Sequence, residues 1–231
     1  MQPKLHNYCI EKSIELLYND SKNDVINALF DSKISLLNFK ERIMLMQKGS
    51  HMIDRLAIRK LRVHWFGGHY LYPHSHAGYM TGFSDAGTKC NQLFKIAVSS
   101  WGKGKFKNSF IALGGACHLV QDLCIPFHTT HLAFKKHVIF ERWMSRYYRE
   151  VPVALENGVY KFKPLKGHYN DNSPFGWVDY NAHNSSKHLP ELLYAKSRSE
   201  YFMALTLIIP EAIRTSAGFF ELFTKNVSKP V

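Results

Sequence analysis

The stretch GACHLVQDLCIPFH, Gly115 to His128, constrains the fold more than any other part of the chain. It continues an oily helical pattern running through Lys105–Leu123, and it places His118 and Asp122 one turn apart, roughly 6 Å in rise, on one face. The other faces of this helix are apolar, and an uncompensated carboxylate is costly to bury in such surroundings. A metal shared by the pair relieves that cost. Pro126 cannot continue the helix and biases Ile125 towards an extended conformation, so the chain turns and His128 leaves the ladder that holds His118.

Around this segment the chain is patterned for helices. Cys9, Ile10, Ile14 and Leu17 share a face in Leu5–Tyr18, and further helical periodicity runs through Phe39–Ile58, Ala86–Trp101, Leu132–Arg149 and Lys187–Phe223. The last is expected to break near Pro210. Strand-like alternation is nearly absent, with GVYKFKPL the one candidate for a short hairpin. Gly, Pro and Asn gather in Trp65–Gly87 and Pro152–Pro174, which are read as two long loops because apolar helical faces flank both. The expectation is an all-α, single-domain multi-helix bundle with long loops, residues 1–231 forming one unit.

Composition narrows the partners. Thirty basic against 18 acidic residues give a formal charge of +12, which suits an anionic partner: a phospholipid surface, a nucleic acid or a phosphate ester. The longest apolar stretch, Tyr201 to Pro210, is about half of what a bilayer-spanning helix needs, and the first residues lack the apolar segment of a signal peptide. A soluble chain is expected, intracellular by default or the mature form of a secreted one. Cys9, Cys90, Cys117 and Cys124 form no CxxC pair and are expected reduced and mostly buried.

A second pair, His137 and Glu141 in KHVIFERW, repeats the i, i+4 spacing. Spacing alone is weak, since 13 histidines and 18 acidic residues in 231 give about one such pair by chance. On that ground alone, His118 and Asp122 are equally well a buried hydrogen-bonded couple.

The ordered set HLVQDLCIPFH and then HVIFE resembles the zinc-dependent phospholipase C family of bacteria and its relatives, the zinc nucleases that act on single strands. A later HxxxE marks the phospholipases and HxxxD the nucleases. The likeness extends to an early helical His6, to Gly67, Gly68, His69 and Tyr70, to GWVDYNAH around Trp177 and to AIRTSAGFFELF in the last helix. The resemblance implies zinc at three sites: Asp54, His69, His118 and Asp122 at the first; His128, His137 and Glu141 at the second; His6 and a shared oxygen of Asp122 at the third. In the family the third zinc is completed by backbone groups of the mature N-terminal residue, a place taken here by Met1. The gap from His128 to His137 is shorter than the family's, which implies a trimmed loop. The remaining histidines, His51, His64, His74, His76, His131, His168, His183 and His188, are assigned mostly to surface and loops.

Imidazole and carboxylate suit Zn²⁺, and each site would keep open positions for water and substrate. The implied activity is a zinc-dependent phosphodiesterase that cleaves phospholipids to diacylglycerol and a phosphorylated head group. Asp54 is the expected catalytic residue, orienting or deprotonating the attacking water. Phe66 keeps the place of an aromatic head-group residue, whereas Arg55 stands where choline-preferring relatives carry a tyrosine and favours anionic or neutral head groups. The chain is expected to act as a monomer on an anionic membrane surface, with no protein partner. Nucleic acid as the substrate, or a non-catalytic zinc-stabilised helical protein that binds membranes, are the competing functions.

Overall fold

Apolar periodicity becomes helix almost wherever it occurs. The structure is a computed structural model and describes residues 2–31, 35–60, 68–78, 84–131, 134–161 and 172–228. Its helices are α1 (Pro3–Asn19), α2 (Asn23–Phe30), α3 (Phe39–Lys60), α4 (Ala86–Gly102), α5 (Phe106–Asp122), α6 (Phe134–Tyr147), α7 (Pro174–Ser186), α8 (Leu189–Tyr194) and α9 (Arg198–Val227). A 3-10 turn, Pro126–Thr129, follows α5, and a second, Tyr148–Glu150, follows α6. No strand occurs among the described residues, so the fold is all-α. Half of the hairpin expected at GVYKFKPL falls outside the described residues, and its described half is irregular.

The hub is α5, whose residues from Ala112 to Asp122 are all buried. It packs against α3 and α4 and touches α9 and α7. The α3–α5 crossing is a backbone-to-backbone contact: a Cβ on Gly114 would strike the carbonyl of Met46, and one on Gly49 that of Ile111. Only glycine permits this approach, which brings Asp54 on α3 over His118 on α5.

The C-terminal end of α5 is buried, and its unsatisfied carbonyls need donors. Helix α7 supplies them: Asn181 Nδ2 donates to the Val120 carbonyl at 2.8 Å and Ser185 Oγ to that of Leu123 at 2.7 Å. GWVDYNAH is therefore part of a core helix, with Trp177 fully buried. Ile125 is extended as expected (φ −92°, ψ 119°), and Pro126 opens the turn that carries His128.

Two expectations are corrected. The break in Lys187–Phe223 lies at Ala195–Ser197, and Pro210 sits inside an unbroken α9. Ser197 and Glu200 form a capping box that starts α9, while the buried face from Leu205 to Thr224 carries the helix through the proline. Helix α2 lies outside the periodic segments of the sequence. It ends against the buried Arg42, whose guanidinium donates to the carbonyls of Leu29, Asp31 and Leu37. Arg198–Val227 is also long and apolar enough to cross a membrane, although the apolar run within it is short. Its most apolar window is 61% buried inside the fold, as in a core helix. All four cysteines are free and buried.

Candidate metal centre

Five helical elements and the segment after Gly68 meet around Asp122, His118 and His128. Helix α5 brings His118 and Asp122, α1 brings His6, α3 brings Asp54, the 3-10 turn brings His128, and α6 brings His137 and Glu141. His69 comes from the segment after Gly68, which hydrogen bonds stitch in place: Leu71 N to the His128 carbonyl at 3.1 Å, Ala86 N to the Tyr70 carbonyl at 3.0 Å and His128 Nδ1 to the His69 carbonyl at 2.8 Å.

The two oxygens of Asp122 face different neighbours. Oδ2 lies 2.7 Å from His69 Nδ1 and 3.1 Å from His118 Nε2, while Oδ1 lies 3.4 Å from His6 Nε2 and 4.0 Å from His128 Nε2. Asp54 Oδ1 is 3.5 Å from His118 Nε2. At the other end Glu141 Oε1 takes His137 Nε2 at 2.9 Å and His128 Nε2 at 3.4 Å. Among the described residues, three groups place their ligand atoms close enough to share an ion: His6, His118 and Asp122; Asp54, His69 and His118; and His128, His137 and Glu141. His118 belongs to two of them.

Second-layer partners fix four of the five imidazoles through Nδ1. Gln121 Oε1 holds His6 at 2.6 Å, Ser50 Oγ holds His118 at 3.2 Å, the His69 carbonyl holds His128, and Tyr70 Oη holds His137 at 3.2 Å. In each case Nε2 is left facing the centre, as expected of metal-binding histidines whose ring orientation is set by an outer partner. Spacing in the sequence did not reveal these partners. Ser50 lies one turn before Asp54, so only its helical register hinted at a shared face.

Electrostatics favour deprotonated ligands. Burial pushes the His118 imidazole down to about 4, helped by the neighbouring His6, and also lowers His69 and His137. Burial alone would raise Asp122 and Glu141, yet interactions with the surrounding imidazoles, His118 and His128 for the former and His128 and His137 for the latter, help to hold both well below the carboxylate range. Anionic carboxylates beside neutral imidazoles are the form that binds a metal. His6 Nε2 and His69 Nε2 are buried and make no hydrogen bond among the described residues. Orphaned nitrogens, an N/O donor set and fixed ring orientations all fit zinc.

Of the other expected site residues, Arg55 is exposed beside Asp54, whereas Met1 and Phe66 lie outside the described residues. His64 and His168 do too. His183 is not a surface residue: it is 8% exposed, and with His76 it sits on the buried Asp179 carboxylate, their nitrogens 3.1 and 3.0 Å from Oδ1.

No protein-family model matches the chain. It is 23% identical over 180 residues to a Phospholipase C of Listeria monocytogenes, a match spanning 71% of this chain and 60% of that protein. Its fold matches that of the alpha-toxin of Clostridium absonum (TM-score 0.76) and of Clostridium perfringens alpha-toxin (TM-score 0.74), at 18% identity in each case. Each of these matches covers 97% of this chain and 64% of the toxin chain. The chain thus spans less than two thirds of the length of these relatives. The resemblance first seen in ligand spacing holds in sequence and in fold.

Proposed function

We propose that this chain, a relative of the phospholipases C with the helical fold of the clostridial alpha-toxins, is a zinc-dependent phosphodiesterase that hydrolyses phospholipids to diacylglycerol and a phosphorylated head group. The observation that carries this reading is the Asp122 carboxylate, whose two oxygens face four imidazoles from four separate elements. A purely structural hydrogen-bonded carboxylate has no use for so many acceptor-type nitrogens. Asp54, His69, His118 and Asp122 would hold one ion, His128, His137 and Glu141 a second, and His6 with Asp122 a third. Zinc there supplies a water of lowered pKa and positive charge against the phosphate oxygens.

The protein's own residues do the rest. Asp54 would be the least buried ligand on the Asp122 side, with 31% of its side chain exposed, which supports reading its carboxylate as the group that orients the attacking water and accepts its proton. Arg55, one residue on and exposed, can pair with an anionic group of the lipid. It disfavours the quaternary ammonium of choline. The +12 charge draws the protein to anionic membrane surfaces.

The test is product analysis with zinc-loaded protein on dispersed short-chain phospholipid and on single-stranded RNA. Phosphate monoester and diacylglycerol from the lipid support the proposal. Conversion of RNA to 5′-mononucleotides without lipid turnover assigns the chain to the nuclease branch instead. Comparing phosphatidylcholine with phosphatidylserine for wild type and Arg55→Tyr tests the head-group reading, which fails if wild type prefers phosphatidylcholine and the substitution leaves the ranking unchanged.

A further inference from the structure

Lys89 stands in the first turn of α4, a turn fixed by Asp85, whose side chain accepts from Thr88 N at 2.8 Å. Its side chain lies across Gly68, the residue before His69. A Cβ on Gly68 would come within 2.8 Å of Lys89 Nζ and 2.9 Å of its Cδ. The missing side chain at Gly68 therefore opens the lane that this ammonium occupies. From there its charge reaches the carboxylates of Asp122 and Asp54. Among the described residues it forms no ion pair with either carboxylate.

A charge in this position is not needed for balance once the centre proposed above is loaded. Asp54, Asp122 and Glu141 carry three negative charges, and two divalent ions already exceed them. A further cation beside the ligands weakens metal binding and lies largely desolvated, which is a cost for an ammonium. A methionine would fill the same lane without either penalty. What a neutral side chain would not do is attract an anion that arrives from solvent.

We propose that Lys89 is a substrate-binding residue, its ammonium taking an anionic oxygen of the bound phosphoester on the Asp54–His69 side of the centre. The inference rests on the metal-centre reading of the same site. Its consequences are nevertheless read without any lipid. In zinc-loaded protein, Lys89→Met weakens binding of inorganic phosphate by roughly tenfold to a hundredfold, the loss expected for one charge-assisted hydrogen bond. Lys89→Arg, which keeps the charge, retains most of the affinity. Competition with a chromophoric chelator shows zinc held as tightly or more tightly by Lys89→Met than by wild type, because a repelling charge is gone.

The experiment is phosphate titration calorimetry on the three zinc-loaded proteins, with circular dichroism to establish that each is folded and the chelator competition run alongside. Loss of phosphate affinity in Lys89→Met, its retention in Lys89→Arg, and undiminished zinc binding are the expected results. The proposal is overturned if zinc-loaded wild type binds no phosphate, if Lys89→Met binds it as wild type does, or if Lys89→Met loses zinc, which would make the lysine a structural support of the ligands. Failure to cleave phospholipid would sink the proposed function and leave this result standing.

Discussion

The imidazoles of His6 and His118 stack face to face, 3.8 Å between ring centroids and 24° between planes, and each turns its Nε2 towards the Asp122 carboxylate. Two protonated rings would repel strongly at this distance, and the buried His118 is held far below its ordinary pKa with His6 as one cause. His118 therefore stands in the stack as a neutral ring, the state in which imidazole binds a metal. Asp122 is the hub of this arrangement. Asp122→Asn is predicted to be the most damaging single change, costing more than about a hundredfold in zinc affinity and most of the activity, while Glu141→Gln affects only the ion held with His128 and His137. Zinc content after dialysis compares them: equal losses in the two variants would refute a bridging role for Asp122.

Ser50 and Tyr70 meet imidazoles of the centre, at His118 Nδ1 and His137 Nδ1. Ser50→Ala and Tyr70→Phe are predicted to lower zinc affinity by roughly tenfold to a hundredfold. Chelator competition is the measurement. Unchanged affinity in both would show that packing alone orients these rings.

The α3–α5 crossing makes a prediction about stability that does not involve metal. Gly114→Ala drives a methyl into the Met46 backbone, which cannot rotate away, and should destabilise by about 3 kcal/mol, or roughly 10 °C in melting temperature for a chain of this size. Gly102→Ala meets open space at the end of α4 and should be neutral or slightly stabilising. Thermal melts of both zinc-free proteins check the pair. An unaffected Gly114→Ala would mean that the helices do not cross this closely.

Glu200 gives a pH dependence. Its carboxylate accepts from Lys196 N and from the hydroxyl and amide of Ser197, and these bonds hold it down to about 2. A depressed carboxylate contributes stability above its ordinary pKa of 4.5 and loses it as pH falls towards the folded value. Protection from amide exchange in the first turn of α9, taken relative to the intrinsic rate at each pH, should therefore fall between about pH 4.5 and pH 2 in wild type. Glu200→Gln should show the lower protection already at neutral pH, and identical protection in the two proteins would remove the capping role.

How far the chain could be read in advance follows from which contacts are local. His118 with Asp122, His137 with Glu141, and the turn at Pro126 were legible because one helical turn or one proline fixes them. Asp54 and His69 could be joined to them only through family resemblance, since their approach depends on a glycine crossing and on the stitching of Leu71 and Ala86. Gln121, Ser50 and Lys89 carry no motif and became visible only in space. The break before α9 falls at SRSE, Ser197–Glu200, a capping box written in the sequence, and not at Pro210, which the packed helix tolerates. Nothing local shows that α7 is a core helix, so the sequence does not set His183 apart from surface and loop histidines.

The most direct test of the account is the zinc content of protein purified without chelator, by elemental analysis, with phospholipid hydrolysis followed through zinc removal and return. The ligand set predicts about two to three ions per chain, loss of hydrolysis and of thermal stability on chelation, and recovery of both when zinc is restored. Full hydrolytic activity in a protein holding one ion or none would contradict it.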